Sequence, residues 1–244
     1  MLKTAFQAVS YFPVQDGDMI SENPFVALKE GRFIQRPILS GTNTNERTSF
    51  AISEGFSVNS TTEFRAAVAR YSDQGVANTS VDAIATEYLE GLSPEEVQSS
   101  LGSVLPFPRS DYGTLYGRAA LFRGDQLFVA ARRFSTKMWA KFGIPAFSYR
   151  FDTVPSSVSP ETLGAAHFAD IPFVFRNVGD VGHEVNFLAS NVTTSQRHNV
   201  TMSRDQYLEL SKRMSLMWLS FVNELSPNAR FGMCTNARNS TNWY

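Results

Sequence analysis

The stretch that decides the fold is residues 36–41, RPILSG, a short apolar run that ends at Gly41. An apolar run of this length, bounded by turn-forming residues, is typical of a buried strand that ends in a turn. Asn43, Asn45 and Glu46 follow and are predicted to lie in the loop beyond the strand. The sequence therefore predicts a sheet strand with polar side chains just past its carboxyl end.

A second strand is predicted at residues 146–151, AFSYRF, where aromatic side chains alternate along the chain. The intervening residues are mostly helical in pattern, with capping boxes that begin at Ser60 and Ser93 and a long helical stretch at 125–142. Strands joined by helical crossovers form parallel sheets, so an α/β fold is predicted. Two parallel strands cannot bury both faces of a sheet, and we expect the chain to hold only part of one.

The flanking segments are less regular. Residues 1–30 carry turn signals rather than a periodic element, and residues 153–173 are mostly loop in character. Ser203, followed by Gln206, forms a third capping box and predicts a final helix. The apolar residues of that helix recur at steps of three and four and are predicted to pack in the core: Tyr207, Leu210, Met214, Met217 and Phe221.

Composition excludes several classes of function. The 244 residues include 22 Lys and Arg against 23 Asp and Glu, and this balance argues against a nucleic-acid or anionic-membrane surface. The single cysteine, Cys234, can form neither an internal disulfide nor a thiolate metal cluster, and its role is open. No apolar stretch approaches about 18 residues, so no transmembrane helix is predicted.

The signals for secretion conflict. Gln7, Ser10 and Pro13 break the apolar run near the start, so no signal peptide is predicted. Asn-x-Ser/Thr sequons nevertheless exceed chance expectation, which favours a secreted glycoprotein. The candidate glycosylation sites are Asn59, Asn78, Asn191, Asn199 and Asn239.

Three histidines could serve as a general base. His183 and His198 lie in polar, loop-like surroundings typical of the surface. His167 lies beyond a strand, where open α/β sheets place reactive groups, and Glu46 occupies the same kind of position after the first strand. The two side chains are therefore expected at the same end of the sheet. A carboxylate bound to one imidazole nitrogen fixes the tautomer, so that the other nitrogen can accept a proton from a nucleophile.

Four segments of the chain stand out together, namely residues 12–18, 41–50, 164–175 and 217–221. They resemble segments of the type B carboxylesterases, the family that includes cholinesterases and many fungal lipases. Residues 41–50, GTNTNERTSF, resemble the family's acid-bearing segment, which usually reads Gly-x-Asn-x-Asp-Glu-Gly-x-x-Phe. Residues 12–18 resemble its Pro-Val-x-Asp-Gly stretch, and residues 164–175, GAAHFADIPFVF, are similar to the segment with the triad histidine. Residues 217–221, with the Ser-Pro-Asn that follows at 226–228, resemble a helix and turn near the family's C-terminus.

The resemblance implies that Glu46 is the triad acid and His167 the triad base of a carboxylic ester hydrolase, with no metal or organic cofactor. Two positions depart from the pattern: Asn45 replaces the usual Asp and Arg47 the usual Gly. If that glycine has a positive φ, Arg47 would strain the turn and shift Glu46. The implied substrate of the intact enzyme is a small-molecule or lipid ester, and the implied location is extracellular.

The family's nucleophile motif, Gly-x-Ser-x-Gly, and a Gly-rich run for an oxyanion hole are both absent from the sequence. Residues 1–244 are therefore interpreted as a partial α/β-hydrolase domain that lacks the N-terminal nucleophile-bearing part. We expect no esterase turnover and poor solubility from these residues alone. Two alternatives stay open: a non-catalytic, cholinesterase-like binding or adhesion module, and a regulatory fragment that pairs with a separate chain.

Overall fold

The structure is a computed structural model, and it describes residues 15–49, 57–72, 76–179, 192–194 and 201–228. Structural statements below concern these residues.

A parallel pair of strands forms the centre of the fold. The strands are β1 (Ile38–Asn43) and β2 (Ala146–Phe151), which pair along their whole length. An isolated parallel bridge between Asn45 and Ala166 lies just beyond the carboxyl end of β1. The predicted parallel pairing of these two segments is confirmed, and within the described residues this sheet has two strands.

The first strand extends further than the sequence indicated. Asn43, predicted to lie in the loop, is the last residue of β1 and pairs with Phe151. Gly41 lies inside the strand rather than at its end, and a Cβ built on it would come within 2.0 Å of the Tyr149 ring on β2. The glycine is thus required by the close approach of an aromatic ring, and the prediction that it ends the strand was wrong.

A short helix near the start also differs from the prediction. Helix α1 (Pro24–Lys29) lies within residues 1–30, where only turns were expected. The Asn23 side chain accepts a hydrogen bond from the Phe25 amide at 2.9 Å and caps the helix. Pro24 occupies the first helical position, where no backbone N–H is needed. The Asn-Pro pair is therefore a helix start rather than a turn.

The crossover between β1 and β2 is helical, as predicted. Its helices are α2 (Thr61–Tyr71), α3 (Asn78–Thr86), α4 (Pro94–Leu101), α5 (Tyr116–Gly124) and α6 (Ala130–Lys141), with a 3₁₀ turn at Ser110–Tyr112. A π-helical turn at Glu87–Gly91 continues α3, and a second π turn at Asp125–Val129 joins α5 to α6. The predicted capping boxes at Ser60 and Ser93 are confirmed.

The long helix of the crossover begins at Tyr116, well before residue 125, where the sequence predicted its start. Gly117 does not break it, because this glycine faces Leu101 and Pro106, both of which a Cβ would approach to 2.8 Å. The glycine lets two segments pack closely and leaves the helix intact.

The chain after β2 contains α7 (Ile171–Val174), an antiparallel pair β3 (Val192–Thr194) and β4 (Thr201–Ser203), and the long helix α8 (Arg204–Glu224). The third predicted capping box, at Ser203, is confirmed. Residues 153–173 are largely irregular, as expected. No helix in the described ranges has both the length and the apolar character needed to cross a bilayer.

Three clusters of buried side chains hold these elements together. Two lie within the crossover, one around Phe64 and one around Tyr116, and the third joins β2, α7 and α8. The predicted core stripe on α8 is confirmed for Tyr207 and Met214, which are buried. The other three members of that stripe are only half-buried.

Candidate active site

Glu46 and His167 meet at the carboxyl end of the parallel strands. Glu46 lies in the loop after β1, and His167 lies in the irregular segment after β2. His167 Nδ1 is 2.7 Å from Glu46 Oε2, although the two residues are 121 positions apart in the sequence. The structure therefore brings together the two side chains that the sequence placed at the same end of the sheet.

Both carboxylate oxygens of Glu46 have hydrogen-bond partners. Oε1 accepts from the Asn43 backbone amide at 2.6 Å, while Oε2 faces the imidazole. The Glu46 side chain is 6% exposed and that of His167 is 21% exposed. Hydrogen bonds to an ionised carboxylate are shorter and stronger than neutral ones, so these two contacts fix the orientation of Glu46.

The histidine segment is anchored directly to the acid loop. The Asn45 amide donates to the Ala165 carbonyl at 3.0 Å, and the Asn43 side chain donates to the Ala166 carbonyl at 2.7 Å. The Ala165 amide in turn donates to Asn45 Oδ1 at 3.2 Å. The residues on the amino side of His167 are thus held by the residues on the amino side of Glu46.

Asn45, the first departure from the family pattern, has a defined structural role. Its Oδ1 accepts from the Ala165 amide, and its Nδ2 donates to the Leu101 carbonyl at 3.0 Å. An ionised aspartate has no donor for the Leu101 carbonyl. Sequence reasoning did not identify Asn43 and Asn45 as positioning residues, although their alternation before Glu46 was a usable signal.

Arg47, the second departure, does not strain the turn. Outside glycine, positive φ values in the described residues occur at Phe168, Arg176 and Leu225. Arg47 is therefore outside the left-handed region, and its side chain is buried. The strain that a positive φ at this position would have caused is absent, and Glu46 stays in contact with His167.

Aromatic rings surround the imidazole. The His167 ring centroid is 4.7 Å from that of Phe128 and 4.0 Å from that of Phe168. Phe168 has φ of 71° and is 62% exposed. Phe128 belongs to no motif that the sequence offered, and nothing in the sequence pattern marked it.

A half-buried carboxyl lies near the acid. Asp125 shares a small cavity of about 30 Å³ with Glu46 and Thr48. Burial raises the pKa of Asp125, and the hydrogen bond from the Tyr88 hydroxyl, 2.7 Å away, opposes that rise. Burial also raises the pKa of the Tyr88 hydroxyl. Within the described ranges, no group of three or more His, Cys, Asp and Glu side chains could hold a metal ion.

Several residues singled out in the sequence lie outside the described residues, namely His183, His198, Cys234, Asn191, Asn199 and Asn239. The remaining two sequon residues, Asn59 and Asn78, are exposed. Asn59 follows residues 50–56, which are not described, and Asn78 is the first residue of α3.

Solved structures show the class of fold. EstA of Aspergillus niger superposes with a TM-score of 0.62 over 96% of this chain and 38% of its own, at 19% identity. A carboxylesterase of Geobacillus stearothermophilus superposes with a TM-score of 0.60 over 96% of this chain and 39% of its own, at 22% identity. The predicted class, a partial α/β-hydrolase fold with a small parallel sheet, is confirmed by these neighbours.

The chain belongs to the carboxylesterase family, whose sequence profile matches residues 1–244. Cholinesterase of Mus musculus is 25% identical over 247 aligned positions, which cover 97% of this chain and 34% of that protein. Human neuroligin-3 is 26% identical over 179 positions, which cover 68% of this chain and 19% of that protein. The chain thus spans about a third or less of the length of these curated relatives.

Proposed function

We propose that this chain supplies the acid and the base of a carboxylic ester hydrolase, Glu46 and His167. The observation that carries the proposal is the 2.7 Å contact between Glu46 Oε2 and His167 Nδ1, made by a carboxylate whose other oxygen accepts from a backbone amide. A carboxylate held in this way keeps the proton on Nδ1 and stabilises the imidazolium that forms during acyl transfer.

The proposed reaction proceeds through an acyl-enzyme. With Nδ1–H donating to Glu46, His167 Nε2 accepts the proton of a serine hydroxyl as that oxygen attacks the ester carbonyl. The same nitrogen then donates the proton to the departing alcohol. Water attacks the acyl-enzyme in the second half of the cycle, again with His167 as the base. Glu46 stays ionised throughout.

The serine nucleophile and the oxyanion hole are proposed to come from a part of the protein outside these 244 residues. The sequence has no Gly-x-Ser-x-Gly, and the chain matches only 38% of EstA. Exposure of the sheet supports this, because most residues of β1 and β2 are half-buried, whereas parallel strands are normally covered on both faces. Within the described residues, the buried atoms Thr42 Oγ1 and Asn43 Oδ1 also have no hydrogen-bond partner.

Reconstitution tests the catalytic role. The chain would be purified alone and after co-expression with the part of EstA that it does not match, and each sample assayed with p-nitrophenyl butyrate. We expect no turnover from the chain alone and turnover from the co-expressed pair. His167→Ala in the pair should remove that turnover, and Glu46→Gln should lower it by about 10⁴-fold, whereas the matched control His183→Ala should keep it.

The alternative is a non-catalytic binding or adhesion module. The match to neuroligin-3 over 68% of the chain favours it. The kept Glu46–His167 contact speaks against it, because packing alone does not require this pair. A co-expressed complex that forms but shows no turnover dependent on His167 would support this alternative. Turnover by the chain alone, lost in His167→Ala, would instead disprove the need for an external nucleophile.

We further propose an extracellular glycoprotein. The exposed sequons at Asn59 and Asn78 support this location, together with the family resemblance. Expression through the secretory pathway of a eukaryotic host should give a gel shift that an endoglycosidase removes. Asn78→Gln should reduce the shift by one glycan, with Asn223→Gln, at an exposed asparagine that is not in a sequon, as the control. A secreted chain without any such shift would contradict glycosylation.

A further inference from the structure

A ring outside the acid–base pair lies directly against the imidazole. The Phe128 and His167 centroids are 4.7 Å apart, and the ring planes are inclined by 40°. Phe128 is half-buried and comes from the crossover, whereas Glu46 and His167 come from the loops after the strands. The imidazole is therefore contacted from two independent parts of the fold.

Phe128 lies where the helical segment is irregular. The π turn Asp125–Val129 lies between α5 and α6 and contains Phe128. A π turn adds a residue to one turn of a helix and changes the direction in which the following side chains point, and such turns are frequent at functional sites. The irregular turn thus faces the imidazole with an aromatic side chain.

The π turn carries a partly buried hydrogen bond at its first residue. The Tyr88 hydroxyl donates to Asp125 Oδ2 at 2.7 Å, and Asp125 is the first residue of the turn. Tyr88 itself belongs to the other π turn, Glu87–Gly91. A hydrogen bond in surroundings of low dielectric is stronger than one in water. The two irregular turns are therefore tied together, and the second carries Phe128.

We propose that Phe128 is a positioning residue for His167. The contact with Glu46 fixes one atom of the imidazole, Nδ1, and rotation of the ring away from Glu46 would break that contact. His167 lies in a partly exposed loop next to the strongly exposed Phe168. The Phe128 ring restricts that rotation and keeps Nδ1 on Glu46. This inference rests on the proposed role of the Glu46–His167 pair in catalysis.

Proton NMR tests the inference without requiring turnover. A proton held between Nδ1 and a carboxylate gives a downfield signal, and the rate at which that proton exchanges with water reports how often the contact opens. The chain, alone or in the co-expressed complex, has three histidines, so loss of the signal in His167→Ala assigns it. Glu46→Gln should also remove it.

Phe128→Leu keeps an apolar side chain but removes the ring, and we expect the exchange to become about threefold to tenfold faster. Phe128→Tyr should restore the original rate. The matched control is Phe134→Leu, because Phe134 is a half-buried aromatic residue further along the same helical segment that packs on Phe25 at 5.3 Å. This control should leave the exchange rate unchanged.

The outcomes separate the two proposals. A signal that survives Glu46→Gln would overturn the acid–base pair itself. A signal that depends on Glu46 but exchanges equally fast in the parent chain, Phe128→Leu and Phe134→Leu would leave the pair intact and overturn the role of Phe128. Equal acceleration by both phenylalanine variants would show a general loss of stability and would also overturn it.

Discussion

The helical crossover and the sheet with α8 contain similar aromatic side chains but bury them differently. In the crossover, Phe64 and Tyr116 are 0% exposed and are surrounded by other crossover residues. In the sheet region, Phe147 and most other strand residues are half-buried, and residues of the strands and of α8 line a cavity of about 190 Å³. The crossover therefore completes its own core, whereas the sheet region offers apolar surface for further cover.

The largest expected effect is on the free energy of unfolding when the same substitution, phenylalanine to alanine, is made in each region. Phe64→Ala removes a fully buried ring and should lower the free energy of unfolding by about 3–5 kcal/mol. Phe147→Ala, on the half-buried strand, should cost only about 1–2 kcal/mol. Urea denaturation followed by circular dichroism measures both, with Phe64→Leu as a milder control. Equal losses would contradict the contrast between the two regions.

The next largest effect on the free energy of unfolding is expected in the loop after β1, where Asn45 contacts the crossover. Asn45→Asp removes the donor to the Leu101 carbonyl in the crossover and places a charge in a buried site. We expect a loss of about 1.5–3 kcal/mol at neutral pH, because an unpaired buried group bears its full desolvation cost. Asn45→Ala leaves the same acceptor unpaired without a charge, but it also removes the acceptor of the Ala165 amide, so it measures the loss of both contacts. An aspartate variant as stable as the parent chain would disprove the role given to Nδ2.

A smaller effect is expected from Asp125, which lies between the regions. Because burial raises the pKa of Asp125, its carboxyl group binds a proton more tightly in the native state than in the unfolded chain. The native state therefore binds more protons above about pH 4, and this group lowers the free energy of unfolding as the pH rises through that window. Asp125→Asn should reduce the decline between acidic and neutral pH, as measured by urea denaturation. An unchanged pH dependence would show that the native structure does not raise the pKa of Asp125.

The smallest effect should come from the surface of the crossover. Arg65 and Asp82 form an exposed ion pair between α2 and α3. Arg65→Ala should change the free energy of unfolding by no more than about 0.5 kcal/mol, because exposed ion pairs are screened by solvent. Arg213→Ala, which breaks the exposed pair with Glu209 on α8, should do the same. A loss of more than about 1 kcal/mol in the free energy of unfolding of either variant would exceed the usual contribution of an exposed ion pair. It would show that a surface pair contributes to the difference in stability between the two regions.

Local signals predicted the elements well, because capping boxes and strand patterns act over a few residues. Ser60, Ser93 and Ser203 mark helix starts in both sequence and structure. The errors arose where a distant residue decides the local conformation. Gly41 was predicted to end the strand because glycine is common in turns. The residue that requires a glycine there, Tyr149, is distant in the sequence, so no local pattern could show it.

The candidate site divides in the same way. Glu46 and His167 could be selected because both follow strands and because the segments that contain them resemble those of the type B carboxylesterases. The residues around them could not be selected, because the contacts of Asn45, Phe128 and Asp125 are with crossover and loop segments whose arrangement no local pattern specifies. Asn43 also lay in the predicted loop rather than in the strand, which hid its amide contact with Glu46.

The separation of 121 positions between Glu46 and His167 has a consequence for the order of folding. The contact closes a loop that contains the whole crossover, so it becomes favourable only after the crossover has become compact. The pair should therefore form among the last native contacts. The downfield proton signal of the pair, followed during refolding, would then report completion of the fold as a whole. A substitution that destabilises the crossover would break the contact between Glu46 and His167 even though neither residue had been changed.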